Sequence, residues 1–138
     1  MSIFISSFIG TIDKKNRITI PSNFKSTILK SKENSYLFRS LKNNCFEIYL
    51  ENQIQSIITS MTEEDFFSKK KDHLRTAILS DLEEINLDKE GRFVLKEDHK
   101  KFCQLEKEII FIGKGRYFEI WDKYKGIKYK EESRKKLQ

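Results

Sequence analysis

Short stretches of alternating apolar and polar residues recur along the chain, separated by longer stretches with helical spacing. Phe8 to Ile12 and Arg17 to Ile20 predict two short strands joined by a polar turn, Asp13-Lys-Lys-Asn16. In the second strand the period of two places Ile18 and Ile20 on one face and Arg17 and Thr19 on the other. Pro21-Ser22 then predicts a short helix to about Leu29, capped by Ser22. Tyr36-Leu-Phe38 and Phe46-Glu-Ile-Tyr49 read as further strands. Ile54, Ile57, Ile58 and Met61 recur at helical spacing. Thr62-Glu-Glu-Asp65 has the form of a capping box opening another helix, with Phe66, Phe67, Leu74, Ala77, Ile78 and Leu82 as its apolar face. Arg92 to Leu95, Ile109 to Phe111 and Phe118 to Trp121 predict strands, and Glu97 to Cys103 a short helix with Phe102 on its apolar side. A last helix follows Asp122 to about Lys136.

These elements repeat. Gly10-Thr-Ile-Asp-Lys-Lys-Asn-Arg-Ile-Thr-Ile20 returns 75 residues later as Ile85-Asn-Leu-Asp-Lys-Glu-Gly-Arg-Phe-Val-Leu95. Phe46-Glu-Ile-Tyr49 returns as Phe118-Glu-Ile-Trp121 at a spacing of 72. Two blocks in the same order identify a tandem duplication. Asn16 and Gly91 fall at equivalent positions, and Gly and Asn are the residues that most readily adopt positive φ, as one shared turn would require. After Arg92 the alternation sets Phe93 and Leu95 against Arg92 and Val94. The expected architecture is α+β: two related β-rich halves, 8–49 and 83–122, connecting helices over 50–82, and a basic helix or tail over 123–138. Pro21 is the only proline and no Gly-rich linker parts the halves, so one compact body with the long helices outside is expected.

Composition narrows the class. In 138 residues there are two cysteines, Cys45 and Cys103, too few for a disulfide scaffold or a zinc ribbon and in keeping with a reducing cytoplasm. No apolar run approaches the roughly 20 residues of a membrane span, and the first residues lack the features of a secretory signal. The net charge of +6 is unevenly spread. Residues 10–44 hold eight basic and two acidic side chains, residues 45–122 hold 12 and 17, and residues 123–138 hold seven and two. An anionic partner responds to such local charge, within a screening length of roughly 8 Å.

The candidate chemistry lies in the duplicated Asp-x-x-x-Arg: Asp13 with Arg17, and Asp88 with Arg92. An Asp at a strand end can accept bonds from the N–H groups of its turn and hold the nearby Arg in one direction. An oriented guanidinium presents a planar fork of donors suited to phosphate or to the O6/N7 edge of guanine. Lys14 and Lys15 add point charges for a nucleic-acid backbone. Alone, an Asp-x-x-x-Arg closes a turn with a surface ion pair of about 0–1 kcal/mol. Its duplication beside a basic segment favours an anion-binding surface.

Gly10 to Pro21, Leu87 to Leu95 and Phe118 to Asp122 together resemble the bacterial MraZ family, over most of the chain. The resemblance implies a SpoVT/AbrB-like fold occurring twice and ring-shaped homo-oligomers in cytoplasm and nucleoid. It also implies sequence-specific binding of double-stranded DNA. Members regulate transcription at repeated promoter elements of the division and cell-wall gene cluster, often including their own promoter. By that resemblance Lys14, Lys15, Arg17 and Arg92 contact DNA, and Asp13, Asn16, Asp88 and Gly91 organise the loops. Asn16 stands where the family commonly has Gly, and Lys96 where it often has Pro or a small residue.

Rival readings are weaker. An AbrB-like antitoxin usually carries one copy of the fold. An anion-binding oligomer without promoter specificity would share the loops. An enzyme clamping a phosphorylated substrate lacks any acid, base or nucleophile constellation. No cofactor is implied. His73 and His99 have no second ligand at i+4, so no metal site is expected. Cys45 and Cys103 read as packing residues, and Gly113-Lys-Gly115 lacks the rest of a phosphate loop. Lys69-Lys-Lys71 reads as a solvated helix face, and Tyr49 and Trp121 as core or subunit-interface aromatics at equivalent strand ends.

Overall fold

A computed structural model describes residues 3–62 and 68–138. Its elements run β1 (Ser7–Thr11), β2 (Arg17–Thr19), α1 (Ser22–Ser31), β3 (Ser35–Arg39), β4 (Phe46–Leu50), α2 (Glu51–Thr62) and α3 (Lys69–Leu79). They continue with β5 (Glu83–Ile85), β6 (Arg92–Val94), α4 (Glu97–Phe102), β7 (Glu108–Gly113), β8 (Phe118–Asp122) and α5 (Lys123–Lys136). The fold is α+β.

The duplication governs the topology. A six-stranded sheet has the order β1-β7-β8-β4-β3-β5, antiparallel throughout, and β2 pairs with β6 in a separate two-stranded ribbon. Exchanging each strand for its repeat counterpart (β1 for β5, β2 for β6, β3 for β7, β4 for β8) returns the same order reversed. A pseudo-twofold axis therefore passes between β4 and β8. Each half lends its first strand to the other: β1 pairs with β7, and β5 with β3. Neither half completes a sheet alone. α2 follows β4 as α5 follows β8, so the structural repeat extends past the strands to include these two helices, leaving α3 as the element without a counterpart.

One face of the sheet carries the main core. Leu37, Phe46, Ile48, Phe111, Phe118 and Ile120 meet Ile18 and Ile20 of the first half and Phe93 and Leu95 of the second. The alternation expected around both arginines is present, for Ile18, Ile20, Phe93 and Leu95 are all buried while Thr19 and Val94 are exposed. On the opposite face Ile110, Ile112 and Trp121 pack against Ile127 and Tyr129 of α5. Gly126 permits that approach, since a Cβ there would lie 2.3 Å from Ile110 Cγ2 and 2.9 Å from Trp121 Cβ.

The halves differ where their chemistry differs. In the first, Phe24 packs edge-on against Phe8 at 5.3 Å and tilted against Phe118 at 4.7 Å. The repeat counterparts of these three are His99, Glu83 and Phe46. His99 is buried, edge-on to Phe46 at 5.5 Å. Its Nδ1 accepts from Arg39 Nε at 3.2 Å, which leaves Nε2 to face Glu83 Oε2 at 2.9 Å. Burial of a polar ring is tolerable because both nitrogens are partnered.

Two expectations need correction. Ser22 is not a cap: the capping position of α1 is Pro21, without a side-chain bond. Lys96 takes the same place before α4, with φ −68° and ψ 145° against −54° and 143° at Pro21, so the departure from Pro leaves the backbone unchanged. The apolar face expected for α3 is mostly uncovered: Leu74 and Ala77 are exposed and Ile78 is buried. α3 packs on α2, so a single stripe suffices. The capping box expected after Thr62, with Phe66 and Phe67, rests on residues 63–67, which lie outside the described residues; α3 itself has Ser68 as its cap, whose hydroxyl accepts from the Lys71 N–H.

Candidate nucleic-acid interface

The two Asp-x-x-x-Arg turns are built alike. In the first, the Asn16 N–H bonds the Asp13 carbonyl at 3.0 Å and the Asp13 N–H bonds the Arg17 carbonyl at 3.1 Å. Asp13 Oδ1 accepts from the N–H groups of Lys15 and Arg17, both at 2.9 Å, and Oδ2 accepts from Arg17 Nε at 2.6 Å. In the second, Asp88 Oδ1 accepts from the N–H groups of Glu90 at 3.0 Å and Arg92 at 2.9 Å, and Oδ2 from Arg92 Nε at 2.8 Å. The aspartate therefore closes the turn with one oxygen and orients the arginine with the other. Asn16 (φ 61°) and Gly91 (φ 78°) both adopt the left-handed backbone. The Arg17 N–H, more than its side chain, holds the Asp13 carboxyl below the usual carboxylate range, and the Arg92 N–H does the same for Asp88. The Asp88 bond in turn raises the Arg92 guanidinium above its ordinary value.

Each loop is also fastened to the other half. The Leu95 N–H donates to the Asn16 carbonyl at 2.8 Å, and the Ile20 N–H to the Gly91 carbonyl at 2.9 Å. Lys100 of α4 donates to Asn16 Oδ1 at 3.1 Å, and its counterpart Lys25 of α1 donates to the Lys89 carbonyl at 3.0 Å. Asn16 Nδ2 reaches Glu97 Oε1 at 3.2 Å. Asn16 thus contributes side-chain bonds that a glycine could not make. Lys25 and Lys100 escaped the sequence reading, although both sit one turn into a short helix at matching places of the repeat.

Antiparallel pairing sets Arg17 opposite Val94 and Thr19 opposite Arg92. These four side chains share the outward face of the ribbon, with the arginines at diagonal corners and a loop at each end. Lys14 and Lys15 are exposed on the first loop and form no ion pair among the described residues. The second loop carries Glu90 where the first has Lys15, and Glu90 Oε2 lies 3.3 Å from Arg92 Nη2. Among the described residues Arg17 therefore has one carboxylate partner and Arg92 has two.

The family model described as "MraZ protein, putative antitoxin-like" matches residues 3–76 and 78–137. The chain belongs to the MraZ family. Its two matched segments meet at residue 77, inside α3, so each takes in one full structural repeat. A Rickettsia typhi (strain ATCC VR-144 / Wilmington) protein named transcriptional regulator MraZ is 32% identical over 130 residues, 94% of this chain and 87% of the relative. The Rickettsia felis (strain ATCC VR-1525 / URRWXCal2) protein of the same name is 29% identical over 136 residues, 98% and 91% of the two chains. The MraZ repeat thus appears twice, as the duplicated motifs implied.

Other candidates fall elsewhere in the fold. Cys45 and Cys103 are buried, and burial pushes both thiols far up, away from thiolate chemistry. No group of three or more His, Cys, Asp or Glu suited to a metal ion occurs among the described residues. No helix among them is long and apolar enough to cross a membrane. Trp121 is buried and stacks on Tyr129 at 4.5 Å. Tyr49, half-buried, stacks on Tyr117 at 4.5 Å.

Two buried carboxylates were missed. Glu47 and Glu119, 6% and 2% exposed, face each other across β4 and β8 at the pseudo-twofold axis. Tyr49 donates to Glu47 at 3.0 Å and Trp121 to Glu119 at 3.0 Å. Desolvation raises the Glu119 carboxyl above its ordinary value. The signal was a glutamate at the same place in both copies of an otherwise apolar strand.

Proposed function

We propose that this protein is a DNA-binding transcriptional regulator without catalysis. The observation that carries the reading is the outward face of the ribbon: two arginines, each aimed by an aspartate, beside the exposed Lys14 and Lys15. A two-stranded β-ribbon fits the major groove of double-stranded DNA, where a fixed guanidinium reads guanine through O6 and N7. Lys14 and Lys15 contact phosphates, and Arg17 and Arg92 contact bases or phosphates. Asp13, Asn16, Asp88 and Gly91 set the loop geometry. The functional names of the Rickettsia relatives support the same reading.

The binding elements are the halves 8–49 and 83–122. The first half dominates: residues 8–49 hold eight basic and three acidic side chains, residues 83–121 eight and nine. Glu90 competes with DNA for Arg92, and no equivalent carboxylate competes for Arg17. Each protomer offers few cationic groups, so several copies in a homo-oligomeric ring engage tandem promoter elements and gain strength through effective concentration. The targets are the repeated promoter elements of the division and cell-wall gene cluster, including the protein's own promoter, and the site of action is the cytoplasm and nucleoid.

Gel shift on the DNA upstream of its own gene, at two salt concentrations, tests this. Specific binding that falls steeply with salt is expected, because each phosphate contact adds about 0.9 to the slope of log affinity against log salt. Absence of a shift at low salt refutes it.

A further inference from the structure

Resting on the DNA-binding reading above, we propose that Val94, with Thr19, reads thymine by its C5-methyl group beside the bases engaged by the arginines. Val94 is 64% exposed. It belongs to a three-residue strand whose central residue, Phe93, anchors the ribbon in the core, so its own side chain points directly away from the protein. It stands opposite Arg17, whose Nε is tied to Asp13. Thr19 occupies the matching corner opposite Arg92 and offers one methyl group where Val94 offers two.

The chemistry of the groove selects the ligand. Base pairs present donors and acceptors along the major groove, and the C5-methyl of thymine is its apolar feature. An arginine fork supplies donors for guanine, and an adjacent branched aliphatic group supplies a dry contact for that methyl. The ribbon thus carries a donor and an apolar reader at each end. The ends are unequal: Arg17 with Val94 joins the less restrained arginine to the larger apolar group, whereas Arg92 with Thr19 joins the doubly restrained arginine to the smaller one.

Replacing thymine by deoxyuracil removes the methyl and keeps every base-pair hydrogen bond. Binding of the full-length protein to the duplex upstream of its gene is measured with thymine and with deoxyuracil throughout, alongside Val94→Ala. Wild type is expected to bind the uracil duplex about fourfold more weakly for each methyl read, the value of one buried methylene-sized group. Val94→Ala is expected to lose most of that discrimination while keeping its thermal transition, since most of the side chain is exposed and it is outside the buried core. Equal binding of wild type to both duplexes overturns the proposal, and so does discrimination that survives intact in Val94→Ala. Failure of wild type to bind the thymine duplex specifically would instead refute the DNA-binding reading itself.

Discussion

Replacing Gly126 by Ala sets two effects against each other within one residue of α5. Alanine in a helix interior is favoured over glycine by about 1 kcal/mol, which alone would raise stability. The added Cβ, however, falls 2.3 Å from Ile110 Cγ2 and 2.9 Å from Trp121 Cβ. Carbon atoms in contact sit about 3.5–4.0 Å apart, so more than 1 Å must be found. Ile110 can rotate only within a packed cluster, being 2% exposed, and the Trp121 Cβ is bonded directly to the β8 backbone. The helix must therefore lift away from β7 and β8, and overpacking of this kind costs about 1–3 kcal/mol. The clash wins, with an expected net loss of about 1 kcal/mol and a melting temperature roughly 4 °C lower. Trp121 is the only tryptophan, so its fluorescence reports the docking of α5 directly while circular dichroism follows the whole chain. A melting temperature about 4 °C higher with unchanged tryptophan emission would refute the reasoning. Favourable coupling with Ile110→Ala in a double-mutant cycle would identify the colliding pair.

Two further tests address the ribbon loops and a third the buried Glu119. Arg17→Ala should weaken operator binding about tenfold or more, and Arg92→Ala by less, as measured by fluorescence anisotropy; equal losses would reject dominance of the first loop. Lys100→Met removes the brace on Asn16 Oδ1. It should reduce specific affinity several-fold, and nuclear magnetic resonance should show increased mobility at residues 13–16, while an unaltered loop would make the brace irrelevant. Glu119 has a folded-state carboxyl raised by desolvation, so its contribution to stability is present below the ordinary glutamate value and is lost as pH rises through the raised one. Glu119→Gln, which can still accept from Trp121, should raise the melting temperature by a few degrees at pH 7 relative to pH 4; an equal shift at both values would contradict that linkage.

Much of the geometry of the two turns was legible because its grammar is local. Asp13, Asn16 and Arg17 lie within one turn, and the bonds between them depend on a five-residue segment whose pattern recurs at Asp88, Gly91 and Arg92. Positive φ at Asn16 and Gly91 followed from residue type, and the inward set of Ile18, Ile20, Phe93 and Leu95 from a period of two. The braces from Lys25 and Lys100 were not legible, since they join residues 64 and 84 positions apart. Nor was the polar substitution of His99 and Glu83 for Phe24 and Phe8, because a buried histidine is acceptable only when partners such as Arg39 are delivered by another strand.

The sequence alone therefore determined the duplication, the α+β class and the two charged turns, all of which rest on short-range patterns repeated at 75 and 72 residues. Tertiary structure decided how the copies combine. Each first strand completes the other half's sheet, the arginines meet on one face of a shared ribbon, and α2 proves to be the counterpart of α5. Pairing between strands is a contest among distant segments for backbone hydrogen bonds and apolar cover. Its outcome depends on which exchange leaves no edge unpaired at the centre and no core face exposed, and no single segment carries that information.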